Sequence, residues 1–338
     1  MFSISQLETC KLAKRYHLEH LSFLDLIRDD LERVENLLRE RPPGQHEAIG
    51  VAVDHLVDGG GKRVRPALVL LSTHFCGADV DKAIFAAAAV ELLHTATLIH
   101  DDLIDGSLMR RGAQTLNAHW SPGATVLAGD YVFAHAAHLA SRSGSTLLMQ
   151  CFSETLMTIC NGEVRQMFDG HRNQTSREEY EQRIHAKTAS LISMSAQAGA
   201  ILAQVETEKR EALKIYGEQL GLVFQIVDDV LDFVADERVL GKPVGSDLRQ
   251  GLVTLPVLLF LEDNPDHPAV CQALEGNSSD KVAREAIQAI AGSPAIERAL
   301  AAAQEHADQA KAALSELSHS SYRAALLALV DFTVRRRF

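Results

Sequence analysis

Apolar residues recur at every third or fourth position through long stretches of this chain, while the strict apolar/polar alternation of a half-buried strand is nearly absent. The first stretch, residues 22–41, carries Phe23, Leu24, Leu26, Ile27, Leu31, Val34, Leu37 and Leu38 and stops at Pro42-Pro43-Gly44, which predicts an amphipathic helix. A second helix is expected over about 47–57, ending at Gly59-Gly60-Gly61. Helical spacing continues over 66–75, 80–104, 124–142, 145–168 and 206–234, with residues 106–123 left as a loop. Ser176-x-x-Glu179 has the form of a capping box, opening a helix that carries Lys187 and Thr188. From Pro256 onward short helices return, among them the alanine-rich stretch 298–314. The pattern predicts an all-α fold. Composition does not shift along it, so residues 46–338 are expected to form one domain, preceded by a helical extension at 1–45.

Two of these apolar helices carry acid where a core is expected. Asp101, Asp102 and Asp105 close the helix over 80–104; at about 100° per residue Asp101 and Asp105 lie one above the other, with Asp102 to the side. His94 falls near the same face about two turns earlier, roughly 10 Å away. Asp228, Asp229 and Asp232 repeat the spacing within Gln225–Asp232. Unpaired buried charge is costly, so repetition in two apolar helices points to a site rather than to two solvated faces. Crowded carboxylates suit Mg²⁺, which binds through one or two carboxylates together with substrate phosphates. Facing each other across a cavity, the two stripes would hold several Mg²⁺ ions around one diphosphate. Arg110 and Arg111 add forked donors that match phosphate oxygens.

Further basic positions fit the same chemistry. Gly59-Gly-Gly-Lys-Arg-Val-Arg-Pro66 places Lys62, Arg63 and Arg65 in a glycine-rich loop before a helix, an anion-binding arrangement that lacks the Walker spacing. Lys242, within Leu240–Asp247, fits either a phosphate ligand or an ordinary lysine in a turn. For the terminal arginines 335–337 a solvated tail is the default and a substrate contact the alternative.

Composition narrows the field. A formal net charge of −12 disfavours nucleic acid as a partner, and 46% hydrophobic residues with 23% charged exclude a disordered chain. Five scattered cysteines without a CxxC pair suit a reduced, cytoplasmic protein, and fifteen histidines show no HExxH spacing. No basic stretch followed by an apolar run opens the chain, so no secretory leader is expected. No uninterrupted apolar run approaches the roughly 18 residues that span a bilayer; no transmembrane segment is expected, and at most peripheral membrane contact.

GGKRVRP, then DDLID followed by RRG, then KT, FQIVDDVLD and GKPVGSDLRQG with TLP, in this order and spacing, resemble the trans-isoprenyl diphosphate synthases over about residues 48–338. The resemblance implies an isoprenoid synthase-type helical bundle around a deep central cavity, usually a homodimer. It also implies a prenyltransferase that condenses isopentenyl diphosphate with an allylic diphosphate. Carried over by position, Asp101, Asp105 and Asp228, with Asp102, Asp229 and Asp232, would hold Mg²⁺ against the allylic diphosphate. Arg110, Lys187 and Lys242 would grip that diphosphate while Thr188 and Gln225 line its site. Lys62, Arg65, His94 and Arg111, with Arg63, match the isopentenyl diphosphate ligands. Leu252 is a departure, because the family often has lysine there. In relatives that stop early, aromatic residues stand four or five positions before the first aspartate. Here Thr97 and Ala96 are small and Leu93 lies eight before, so a product longer than farnesyl diphosphate is expected. The alternatives are a geranylgeranyl diphosphate synthase, if a deeper residue closes the tunnel, and a catalytically weak regulatory subunit of a heteromeric synthase. A terpene cyclase does not fit, because Asp228-Asp229-x-x-Asp232 is not the Asn/Asp-x-x-Ser/Thr-x-x-x-Glu motif of that class.

Overall fold

The computed structural model describes residues 22–58, 63–110, 112–169, 175–235, 244–276 and 279–336. Apolar periodicity becomes helix in the expected places. A 3₁₀ turn at Ser22–Ile27 leads into α1 (Arg28–Leu38), then α2 (Glu47–Asp58), α3 (Val64–Cys76) and α4 (Val80–Ile104). Next come α5 (Pro122–Arg142), α6 (Thr146–Asp169), α7 (Arg177–Ile184), α8 (Ser190–Ala203) and α9 (Thr207–Val234). Among the described residues there follow α10 (Ser246–Arg249), α11 (Leu255–Asp263), α12 (Pro268–Leu274), α13 (Asp280–Ala291), α14 (Ala295–Ala313) and α15 (Ser321–Arg335). The chain divides into two compact units. One comprises residues 1–149, 198–205 and 320–325, the other 150–197, 206–319 and 326–338.

In the first unit α4 packs along α3 and α5. Ala86, Ala87, Ala88 and Ala89 are all buried, and their small side chains bring the neighbouring helices close. Asp79 caps α4, its side chain accepting from the Asp81 N–H; Ser121 caps α5, with Pro122 in the first turn, where its missing N–H costs nothing. Despite lacking a long uninterrupted apolar run, α4 is by length and composition the one helix among the described residues apolar enough to cross a membrane. Yet 72% of its most apolar window is buried inside protein, as suits a core helix. α3 begins two residues before the expected Pro66. Arg63 takes a left-handed conformation (φ 44°) and its carbonyl accepts from Ala67 N–H, so Pro66 lies within the first turn.

The expected loop at 106–123 contains local order. Met109–Arg110 pairs antiparallel with Ala113–Gln114, with Met109 opposite Gln114 and Arg110 opposite Ala113, and a 3₁₀ turn follows at Leu116–Ala118. Two-residue strands are too short to show a period of two in sequence.

In the second unit α9 packs against α14 and against a π-turn, His185–Ala189, that joins α7 to α8. The expected capping box is present: Ser176 accepts from Glu179 N–H and Glu179 accepts from Ser176 N–H. α9 approaches its neighbours through glycines. A Cβ at Gly221 would lie 2.4 Å from the Cα of Ala189, and one at Gly217 would lie 2.7 Å from the Cα of Ser193. Gly217, Gly221 and Gln225 follow at intervals of four on one face, so this close approach brings Gln225 to the π-turn.

Candidate active site

The first acidic stripe ends α4 in the first unit, and its three carboxylates occupy different surroundings. Asp105 is exposed, Asp101 half-buried and Asp102 buried. The hairpin returns Arg110 to the helix, where its Nε donates to Asp102 Oδ1 at 2.7 Å. Burial pushes the Asp102 carboxyl upward in pKa, partly offset by Arg110 and reinforced by the nearby charge of Asp105. Arg110 thus neutralises the inward carboxylate, leaving Asp101 and Asp105 as the more accessible pair on the stripe.

The second stripe, on α9 in the second unit, is more deeply set. Asp228 is half-buried; Asp229 and Asp232 are 3% and 1% exposed. Asp229 accepts from the hydroxyl of buried Tyr180 at 2.7 Å and from Gln225 Nε2 at 2.8 Å, and Gln225 Oε1 accepts from Thr188 Oγ1 at 2.8 Å. Burial, then the charge of Asp247, pushes the Asp229 carboxyl up to about 7, against the lowering effect of its hydrogen bonds to Gln225 and Tyr180. Asp232 caps α10, accepting from Ser246 Oγ at 3.0 Å and Asp247 N–H at 3.2 Å. Of the three, Asp228 is the one that meets solvent.

Arg336 binds that carboxylate. Its guanidinium pairs with Asp228, donates to the Phe224 carbonyl at 3.3 Å and lies 4.2 Å above the Phe224 ring. The expectation of a solvated arginine tail is corrected at Arg336: Arg335 is exposed at the end of α15 and Arg337 lies outside the described residues, whereas Arg336 is buried, because the last turn of α15 delivers it to an acid and an aromatic face. Sequence gave no signal for this, since adjacent arginines at a chain end look alike until the partner is known.

The remaining candidates are distributed as follows. Thr188 and Gln225 meet at the π-turn, and Lys187, exposed in the same turn, pairs with Glu163 at 2.8 Å. A π-turn inserts an extra residue into a helix and reorients its side chains, and such turns are frequent at functional sites. Arg65 and His94 are half-buried on α3 and α4 in the first unit. Arg63 is committed elsewhere: it pairs with Glu35, donates to Glu91 at 2.7 Å and to the Val57 carbonyl at 2.9 Å. Burial lowers its pKa, but the two carboxylates outweigh that effect and hold the charge on. Arg63 thus fastens α1, α2 and α4 at the start of α3. Leu93 and Ala96 are buried; Thr97 is half-buried, its hydroxyl donating to the His94 carbonyl at 2.8 Å. Lys62, Arg111 and Lys242 lie outside the described residues, as do the glycines at 59–61.

Among the described residues no three His, Cys, Asp or Glu side chains converge as a ready-made metal cage. The donor set nevertheless fits Mg²⁺ of the kind that takes few protein carboxylates and completes its shell with water and phosphate. Each stripe carries a carboxylate that reaches solvent, with a cation beside the stripe within its own unit: Arg110 at Asp102 on α4, and Arg336 at Asp228 on α9.

Comparison with known proteins leads to the same chemistry. The family model described as polyprenyl synthetase matches residues 46–290. The chain is 38% identical to heptaprenyl diphosphate synthase component 2 of Geobacillus stearothermophilus over 311 residues, 92% of this chain and 97% of that protein. It is 34% identical to octaprenyl diphosphate synthase of Escherichia coli over 314 residues, 92% of this chain and 97% of that protein. A crystal structure of polyprenyl synthase from Caulobacter crescentus, complexed with calcium and isoprenyl diphosphate, superposes with a TM-score of 0.89 at 37% identity, covering 94% of this chain and 97% of that one. With this all-helical architecture, the paired aspartate motifs and such coverage, the chain belongs to the polyprenyl synthetase family and is a prenyltransferase.

Proposed function

We propose that this prenyltransferase extends an allylic diphosphate with isopentenyl diphosphate to an all-trans polyprenyl diphosphate longer than farnesyl diphosphate. The observation that carries the reading is the division of labour within each stripe. Asp101 and Asp105 reach solvent, as on the second stripe does Asp228 beside its Arg336 partner, while Asp102, Asp229 and Asp232 are buried against protein donors. The first three are the proposed Mg²⁺ ligands, and the others support them. Bound calcium and isoprenyl diphosphate in the Caulobacter crescentus relative support this choice of ligand.

When bound, Mg²⁺ would neutralise the charge that grows on the departing diphosphate. Arg110 and Lys187, with Lys242, hold the allylic diphosphate and share that charge, which is electrostatic stabilisation of the transition state. The allylic C–O bond breaks and pyrophosphate departs. Arg65, His94, Lys62 and Arg111 hold isopentenyl diphosphate so that its double bond attacks the allylic cation; the new C–C bond forms and the proton lost from the product passes to the departing pyrophosphate. Thr188 and Gln225 fix the edge of the allylic site.

Product length is set by the face of α4 before Asp101. Leu93, Ala96 and Thr97 present no aromatic ring there, so growth beyond twenty carbons is expected. The test is to incubate the protein with labelled isopentenyl diphosphate, Mg²⁺ and, separately, dimethylallyl, geranyl, farnesyl and geranylgeranyl diphosphates, and to size the products. Products well beyond twenty carbons support the reading, and Thr97→Phe should shorten them. A sharp stop at twenty would make the protein a geranylgeranyl diphosphate synthase.

A homodimer is part of the proposal. Ile104, Val126 and Leu127 are exposed apolar residues on the first unit, Leu127 at 67%, and suit a second copy. Leu252, where the family often has lysine, and the component 2 name of the Geobacillus relative favour one other arrangement, a subunit that needs a partner. Pyrophosphate release by the purified chain alone excludes it.

A further inference from the structure

Tyr180 is a fully buried tyrosine that no motif contains, and its hydroxyl ends on the acidic stripe of α9. From there a continuous hydrogen-bond path runs Tyr180 to Asp229 Oδ2 (2.7 Å), Asp229 Oδ1 to Gln225 Nε2 (2.8 Å), and Gln225 Oε1 to Thr188 Oγ1 (2.8 Å). Both oxygens of Asp229 are engaged by protein donors. Asp229 also fixes the orientation of the Gln225 amide: its carboxylate takes the NH₂ end, so the carbonyl end must face Thr188. The Tyr180 hydroxyl is what holds that carboxylate from α7, the helix that enters the π-turn carrying Lys187 and Thr188.

We propose that Tyr180 is a positioning residue for the allylic diphosphate site, acting through Asp229 to set Gln225 and Thr188, and that Asp229 serves as this bridge instead of as a metal ligand. The assignment rests on the prenyl-transfer reading above. Its physical basis is the cost of a half-satisfied buried network: removing one donor leaves the carboxylate under-bonded, and the neighbouring amide and hydroxyl then lose their single arrangement. The cations and acids around the bridge are Arg183, whose guanidinium lies 5.5 Å from the Tyr180 ring, and Asp228 and Asp247. Arg183, itself on α7, acts on the carboxylate through its charge, and among the described residues of α7 the Tyr180 hydroxyl is the group that hydrogen-bonds it.

The test is a double-mutant cycle on the full-length protein with Tyr180→Phe, Asp229→Asn and the pair, measuring kcat, the KM for the allylic diphosphate and the Mg²⁺ concentration that half-saturates the rate. Calorimetric Mg²⁺ binding and thermal melts accompany each variant. Tyr180→Phe is expected to raise the allylic KM about tenfold, as fits one hydrogen bond to a buried acid, with the KM for isopentenyl diphosphate and the Mg²⁺ affinity unchanged. In the Asp229→Asn background the same substitution should add no more than about twofold, because the bridge is already altered. A lowered melting temperature with an unchanged KM would make Tyr180 merely structural and overturn the proposal. Independent, multiplying effects, or loss of Mg²⁺ binding in Asp229→Asn, would also overturn it. If the unaltered protein neither binds nor extends allylic diphosphates, the prenyl-transfer reading fails first, and this assignment fails with it.

Discussion

The two acidic stripes share one spacing, yet their surroundings differ. On α4 the middle carboxylate, Asp102, is neutralised by Arg110 from a hairpin eight residues downstream, and Asp101 and Asp105 remain at or near the surface. On α9 the middle carboxylate is held by neutral donors, Tyr180 and Gln225, the last one caps α10, and only Asp228 meets solvent. Identical Asp-Asp-x-x-Asp spacing therefore does not mean identical roles. In both helices position i+1 turns inward and is bound by protein, while position i+4 depends on whether a following loop folds back onto it.

The largest effect expected from breaking this comparison is on turnover. Asp101→Ala should lower kcat by about a thousandfold, in the range for losing a principal electrostatic stabiliser, with a melting temperature close to that of the unaltered protein. Asp102→Ala should act on stability as well. It leaves Arg110 without the carboxylate that neutralises it, at a cost of roughly 1–3 kcal/mol in denaturant unfolding.

A smaller but clear effect is expected where α9 meets the π-turn. Gly221→Ala places a methyl group 2.4 Å from the Ala189 Cα, so either α9 or the turn must shift. The expected loss is about 1–3 kcal/mol of stability, with a raised KM for the allylic substrate because Gln225 moves away from Thr188. Steady-state kinetics and melts on one preparation would show both.

The stripes should also differ in pH dependence. Asp229 is an acid raised from 3.8 to about 7, so over that interval the folded chain holds a proton that the unfolded chain has released. Stability from this group is thus greatest on the acid side and falls as pH rises from about 4 to 7. Asp229→Asn removes the dependence. Melts across that window should show the variant gaining on the unaltered protein as pH rises, and parallel curves would count against burial of the carboxyl.

The smallest effect concerns Arg336. Because it pairs with Asp228, Arg336→Met should remove a competing cation and lower the Mg²⁺ concentration needed for half-saturation by about twofold to fivefold. An unchanged value would show that the ion pair does not compete with metal.

Much of the fold was legible because helices announce themselves in apolar spacing. α4 and α9 lie within a residue of their expected bounds, and the capping box at Ser176 was readable from two residues. The hairpin at 109–114 was not, since two-residue strands leave no periodic trace. The π-turn was equally invisible: its one-residue insertion is a property of the backbone, and residues 185–189 are compatible with ordinary helix. At the site, residue types and spacing pointed to diphosphate chemistry. They could not separate solvent-facing from protein-bound aspartates, because that depends on Arg110, Tyr180 and Ser246 arriving from other elements. For the same reason the pairing of Arg63 with Glu35 and Glu91 was not legible from the basic loop alone.

Mn²⁺ binding, followed by electron paramagnetic resonance in the presence of pyrophosphate, can separate the two kinds of aspartate directly when the unaltered protein is set against Asp101→Asn, Asp102→Asn, Asp228→Asn and Asp229→Asn. Loss of bound metal in Asp101→Asn and Asp228→Asn, with stoichiometry retained in Asp102→Asn and Asp229→Asn, is the expected result. Equal loss in all four would mean that every aspartate binds metal, and would contradict the division between solvent-facing ligands and protein-bound supports.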